Sequence, residues 1–232
     1  MEPLFKGSCG LCDMDGTLID SEPLKDRAHR ITVEGFGGIL PIGFKRPLGF
    51  PLETSISHVL DQAALTVPVH EYRRVYLEIH RKLLRKDLQP VPGAVDLLRA
   101  LRELHVRLGL VTSCSWPMMH ESVTITGIWT YFDVLISADD VPRHKPASDP
   151  YLRAIDDMRL LTNSRVFAIE DTENGVIAAA AAGIPVIAIS HRWNRHQDFS
   201  LAFRVLDSLK DTRAVLRTIR DALESEQSLL LW

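Results

Sequence analysis

The chain has 232 residues, 46% of them hydrophobic, with 27 Lys+Arg against 30 Asp+Glu. This near-neutral globular composition excludes a disordered chain and lacks the basic excess of a nucleic-acid binder, and the length suits one core carrying a sizeable insertion. Three cysteines are too few for a disulfide framework, and their odd number points to a reducing compartment, the cytoplasm.

In chain order, Met1 to Gly10 hold no apolar run of signal-peptide length. Gly10 to Asp13 reads as a short buried strand. Cys9 and Cys12 have CxxC spacing, but side chains three apart on a strand point to opposite faces, so the pair is not a metal site. From there to Val91 strand signal is scarce. Leu24 to Glu34, Leu52 to Ala64 and His70 to Leu84 carry apolar residues at helical spacing, punctuated by Gly37-Gly38, Pro47, Gly49, Pro51 and Pro68. Residues 20–88 are therefore expected to be a small helical domain inserted after the first strand, with 1–19 and 89–232 forming the main domain. The bases of the third helix, Arg73, Arg74, Arg81, Lys82, Arg85 and Lys86, are expected to be solvated surface.

Beyond Val91 helix and strand alternate. Gly93 to Leu104 precedes Val106 to Val111, Met118 to Ile128 precedes Phe132 to Ile136, Pro150 to Met158 precedes Val166 to Ile169, and Gly175 to Ala182 precedes Pro185 to Ile189. Short apolar strands alternating with helices predict an α/β fold, a doubly wound parallel sheet covered on both faces, with a helical insert. Val176 to Ile189 is the longest near-apolar stretch. It falls short of the ~18 residues a membrane span needs, and Gly183 and Pro185 divide it into a helix and a buried strand.

Ligands of such sheets bind at the carboxyl ends of the strands. The residues just past the apolar runs are chemically active types: Asp13-Met14-Asp15-Gly16-Thr17, then Thr112-Ser113, then, near the following strand, His144-Lys145-Pro146, and then Glu170-Asp171. Gly16 suits the turn that must bring Asp15 back beside Asp13.

These four segments, in this order, resemble the motifs of the haloacid dehalogenase-like hydrolases, in the subgroup with a helical cap after the first strand. DxDGT stands as Asp13 to Thr17, the strand-ending Thr as Thr112, the Lys before Pro as Lys145, and the acidic pair followed by GxxAAxAAG as Glu170-Asp171 with Gly175 to Gly183. The resemblance implies a phosphatase acting on a small phosphorylated metabolite. On this resemblance Asp13 would be its nucleophile and Asp15 its general acid and base. Thr112 and the Ser113 amide would bind phosphoryl oxygens, and Lys145 would supply a fixed positive charge. It also implies a Mg2+ ion held by Asp13, the Asp15 carbonyl, Glu170 and Asp171, since a carboxylate attacking a phosphate dianion needs a cation between them. The cap loop around Gly49 and Leu52 and the segment around Trp116 are expected to contact the leaving group.

Related phosphosugar mutases carry a His five residues after the Asp matching Asp20, and an Arg three residues past the cap-loop Gly. Lys25 and Leu52 occupy those places, which disfavours a mutase, although Lys45 or Arg46 lies near enough to substitute. A catalytically silent, partner-binding member of the fold is the other alternative. The remaining expectations are no nucleic-acid or membrane partner and a monomer or small homo-oligomer. No role is assigned to His144, His191 or His196.

Overall fold

The computed structural model describes residues 2–160 and 164–225; Met1 and 226–232, the outer ends of the expected main domain, lie outside them. A short helix α1 (Glu2–Phe5) leads into β1 (Cys9–Cys12). Three helices follow without a strand: α2 (Glu22–Gly35), α3 (Leu52–Gln62) and α4 (Val69–Asp87). The alternating part comprises α5 (Ala94–Glu103), β2 (Arg107–Val111), α6 (Trp116–Thr126), β3 (Val134–Ile136), α7 (Asp149–Asp157), β4 (Val166–Glu170), α8 (Glu173–Ala181) and β5 (Val186–Ile189). β6 (Arg204–Leu206) and α9 (Thr212–Glu224) complete it; the sequence reading stops short of both.

All six strands are parallel, in the order β3-β2-β1-β4-β5-β6. The chain winds outward from β1 to one edge, then crosses to β4 and winds to the other. The crevice between β1 and β4 at their carboxyl ends is thus the topological switch point, where this architecture receives ligands.

The period of two decides what each face buries. Phe167 and Ile169 of β4, with Cys12 of β1, enter one apolar cluster with α5 and α9. Val166 and Ala168, with Cys9 and Leu11, enter the other beneath α7 and α8. Cys9 and Cys12 therefore lie on opposite faces of the sheet, as their spacing requires, and the Cys9 sulfur sits 3.1 Å from that of Met158. The helix-then-strand reading of 176–189 holds: α8 ends near Gly183, which takes a positive φ of 75°, and β5 follows.

The helical insert departs and returns side by side. Ile19 bridges Pro90 in antiparallel fashion, flanked by Asp20 N–H to Gln89 O (2.9 Å) and Val91 N–H to Leu18 O (2.8 Å). Its interior, with Ile56, Val59, Tyr72 and Leu84, is continuous with the first apolar cluster. The bases of α4 lie on the exposed side, where Arg73 pairs with Glu53, Lys82 with Glu78, and Arg81 and Arg85 with Glu121. The buried side carries a column of stacked rings, Tyr72, Tyr76 and His80, with His29 of α2 against Tyr76 at 4.2 Å.

Two predictions follow from packing. Leu11 occupies the space left by the missing side chain of Gly109, so Leu11→Ala opens a cavity in the central strand. It should cost about 2–5 kcal/mol in urea unfolding, and a loss below 1 kcal/mol would show that the site collapses freely. Burial, with Lys25 nearby, takes the His80 imidazole down from 6.5 to about 4. The unfolded chain then binds the extra proton between those values, so this group's stabilising contribution is lost as pH falls through that window. Relative to wild type, His80→Phe should lose about 2 kcal/mol less between pH 6.5 and 4.5; equal pH slopes would refute the assignment.

Candidate active site

Asp13 is the first residue past β1. Its N–H still bonds Ile169 O at 2.9 Å, which fixes its buried side chain over the β1–β4 crevice. The chain then turns at Gly16, whose φ is +84° and where a Cβ would meet Asp171 Oδ2 at 2.2 Å. Glycine is required there by both conformation and space. Glu170 ends β4, one residue further than expected, and Asp171 begins the loop to α8. Thr172 caps that helix by accepting the Gly175 N–H. A Cβ on Gly175 would fall 2.0 Å from the Glu170 carboxyl.

Lys145 reaches into this crevice from the loop before α7. Its ammonium contacts Asp13 Oδ1 at 2.7 Å, Glu170 Oε1 at 2.5 Å and the Val111 carbonyl at 2.9 Å. Glu170 accepts further bonds from the Tyr151 hydroxyl (2.7 Å) and, on its other oxygen, from the Asp171 and Thr172 amides (3.1 and 3.3 Å). Asp171 accepts from the Thr17 hydroxyl at 3.2 Å and from His191 Nε2 at 2.8 Å. One carboxylate oxygen from each of Asp13, Glu170 and Asp171 lies within 4.8 Å of the other two.

Burial, then Glu170, pushes the Asp13 carboxyl well up against the pull of Lys145; burial and Glu170 do the same to Asp171. Burial opposes the Lys145 charge, but Asp13 and Glu170 outweigh it and raise its pKa. Three carboxyl groups face one ammonium in a buried site, a deficit of positive charge. An all-oxygen donor set with that deficit fits a hard divalent cation.

Asp15 points to the insert. Its oxygens take the Ser21 hydroxyl, the Lys25 ammonium at 3.0 Å and the Cys114 thiol at 3.0 Å. Ser21 stands at the N-cap of α2, yet gives its hydroxyl to Asp15 rather than capping the helix. Burial raises the Asp15 carboxyl, but Lys25 and the hydrogen bonds outweigh it and bring it down to about 2. Lys25 also contacts Glu22 at 2.8 Å, and Glu22 pairs with Arg46. Arg46 is thus engaged inside the insert, while Lys45 is exposed.

Of the residues singled out in the sequence, Asp13, Lys145, Glu170 and Asp171 form one contiguous cluster, with Asp15 adjoining it. Thr112 is buried at the end of β2, its hydroxyl accepting the Cys114 N–H at 3.2 Å, and Ser113 is exposed beside it. The Gly49 carbonyl takes the Asn174 side-chain amide at 2.8 Å, joining the insert to the start of α8. Leu52 packs against the first apolar cluster; Trp116, 44% exposed, donates its main-chain N–H to the Asp139 carboxylate. Sequence reasoning did not identify Lys25, Cys114, Tyr151, His191 or Asn194. Lys25 had a positional signal, five residues after Asp20, and His191 another, just past the run Pro185 to Ile189.

The family model described as haloacid dehalogenase-like hydrolase matches residues 11–189. The chain belongs to the haloacid dehalogenase-like hydrolases. It is 26% identical over 219 residues to a phosphorylated carbohydrates phosphatase of Thermotoga maritima, covering 94% of each chain. It is 31% identical over 188 residues to a validoxylamine A 7'-phosphate phosphatase of Streptomyces hygroscopicus, covering 78% of this chain and 84% of that one. In structure it superposes on a family IA hydrolase of Entamoeba histolytica with a TM-score of 0.78 and 22% identity, covering 94% of this chain and all of the other.

Removing the Tyr151 hydroxyl deprives the buried Glu170 of a donor. Tyr151→Phe is expected to lower stability by roughly 1–3 kcal/mol in denaturant unfolding, and an unchanged midpoint would show that Lys145 and the amides suffice.

Proposed function

We propose that this hydrolase is a Mg2+-dependent phosphatase of a small phosphorylated metabolite of the sugar, polyol or nucleotide type, working through an aspartyl-phosphate on Asp13. The observation that carries the reading is the Asp13–Lys145–Glu170–Asp171 cluster at the switch point of the sheet, with Asp15 two residues from the nucleophile. Phosphatases among the relatives support it.

In the first half-reaction an Asp13 oxygen forms a bond to phosphorus as the bond to the leaving oxygen breaks, and Asp15, ionised in the free site and protonated as the substrate enters, passes that proton to the departing alkoxide. In the second, Asp15 takes a proton from water as the water oxygen attacks phosphorus and releases the Asp13 carboxylate with inorganic phosphate. Lys25 favours the ionised form of Asp15, the form this second half requires. Lys145 holds Asp13 by one oxygen. Thr112 and the Ser113 amide bind equatorial phosphoryl oxygens. Asp13, Asp171 and the Asp15 carbonyl would hold the cation, with Glu170 the third carboxylate; Glu170's accepted bonds suit it also to holding Lys145 in place. When bound, the cation offsets the charge of the phosphate dianion against the attacking carboxylate.

Residues 20–88 are read as a cap that covers the crevice, with 1–19 and 89–232 as the catalytic core. The paired crossings at Ile19 and Pro90 and the Gly49–Asn174 bond support that division. The pairing of Arg46 with Glu22 removes it as a ready clamp for a second phosphate, which favours hydrolysis over phosphate return.

Phosphate release from p-nitrophenyl phosphate and a panel of small phosphomonoesters, with Mg2+ and with EDTA, tests the reading. Release should stop reversibly with EDTA and fall by at least about 10³-fold in Asp13→Asn. Turnover that survives either treatment would overturn the nucleophile or the cation, and no release from any substrate would overturn the phosphatase reading.

A further inference from the structure

The loop after β5 contains a histidine and an asparagine that both bond to Asp171 and that the reaction above does not use. The Asn194 side chain is fully buried. It donates to the Ile189 carbonyl at 2.8 Å and to the Asp171 carbonyl at 2.7 Å, and it accepts the His191 N–H at 2.7 Å. Asn194 N–H returns to the His191 carbonyl at 3.2 Å. The turn is therefore closed on itself and tied to the main chain of Asp171.

The His191 ring is held at both nitrogens. The Trp193 N–H points at Nδ1 at 3.2 Å, so Nδ1 serves as an acceptor and a neutral ring carries its proton on Nε2. Nε2 lies 2.8 Å from Asp171 Oδ2, and the Thr17 hydroxyl lies 3.2 Å from Oδ1. One carboxylate is thus gripped on both oxygens by donors from two loops, one following β1 and one following β5. Gly16 leaves room for this, since a Cβ there would approach both Asp171 Oδ2 and His191 Nε2.

We propose that His191 is a positioning residue for the cation site, orienting the Asp171 carboxylate relative to Asp13 while Asn194 clamps the main chain behind it. A neutral donor suits that task. An Arg or Lys in its place would fix the carboxylate but also cancel part of the charge deficit that attracts the cation. The side chain is 21% exposed and its Nε2 is directed to the acidic cluster rather than to the apolar core, so its bond serves the site more than the fold. The inference rests on the cation reading given above.

The test is a calorimetric titration of Mg2+ into the metal-free full-length chain, with Mn2+ binding followed by electron paramagnetic resonance, for wild type, His191→Phe and His191→Gln. Phenylalanine keeps the ring volume without a donor, and glutamine restores an N–H near the position of Nε2. Affinity should fall ~10–100-fold in His191→Phe and recover most of that loss in His191→Gln, while the metal-free melting midpoints stay close to wild type. Should the phenylalanine variant not fold, His191→Ala at this partly exposed position supplies the donor-free comparison. Binding by the donor-free variant as tight as wild type, or a glutamine variant as weak as it, would overturn the positioning role and leave the phosphatase reading standing. Wild type that binds neither ion would overturn the cation reading and this inference with it.

Discussion

An ammonium group buried without partners costs more than a small domain can supply, and Lys145, with a side chain only 3% exposed, meets that constraint by drawing three strand ends together. Asp13 follows β1, Val111 ends β2 and Glu170 ends β4. Burying one cation thus requires burying two carboxylates. Those carboxylates need donors in turn, which explains Tyr151 on α7 and the amides that open α8. Gly175 must lack a side chain because the Glu170 carboxyl fills its place. Much of the local sequence around the crevice follows from one charge.

Such a site contributes little to stability on balance, because desolvation offsets the attraction of the pairs. Raised carboxyls at Asp13 and Asp171 show where that cost is carried. The fold sustains it through the two apolar clusters that sandwich the sheet, to which β1, β4 and β5 contribute from both faces. The same strands that bear the core therefore end in the groups that strain it, as functional sites commonly do.

The architecture was legible because a buried parallel strand needs an unbroken apolar run and the helix beside it needs the 3.6 period. Val106 to Val111 and Val166 to Ile169 leave little other reading. β6 was not legible: Arg204 and Val205 are exposed and only Leu206 is half-buried, so the three residues make no apolar run. α9 does carry the signal, since Val215, Ile219, Ala222 and Leu223 share one face after an Asp211 N-cap, and it extends the fold past the last strand read. At the site, Asp13 and Asp171 stood out because charged residues just after apolar runs have few structural reasons to be there, and Lys145 because it matches the Lys before Pro of the resembled motif. Lys25 and His191 did not. A lysine within a polar helix and a lone histidine in a turn resemble solvated surface until the chain brings them to Asp15 and Asp171.

Both edges of the sheet, β3 and β6, are only three residues long, and β6 carries the exposed Arg204. A parallel sheet forms late and slowly, so its open borders are the places where one nascent chain could template another. Borders this short offer too few unpaired amides and carbonyls for a second copy to add a strand, and a guanidinium on one of them repels its like. The long, apolar strands that carry the chemistry are all interior, so the segments most prone to intermolecular pairing are covered on both sides once the sheet closes.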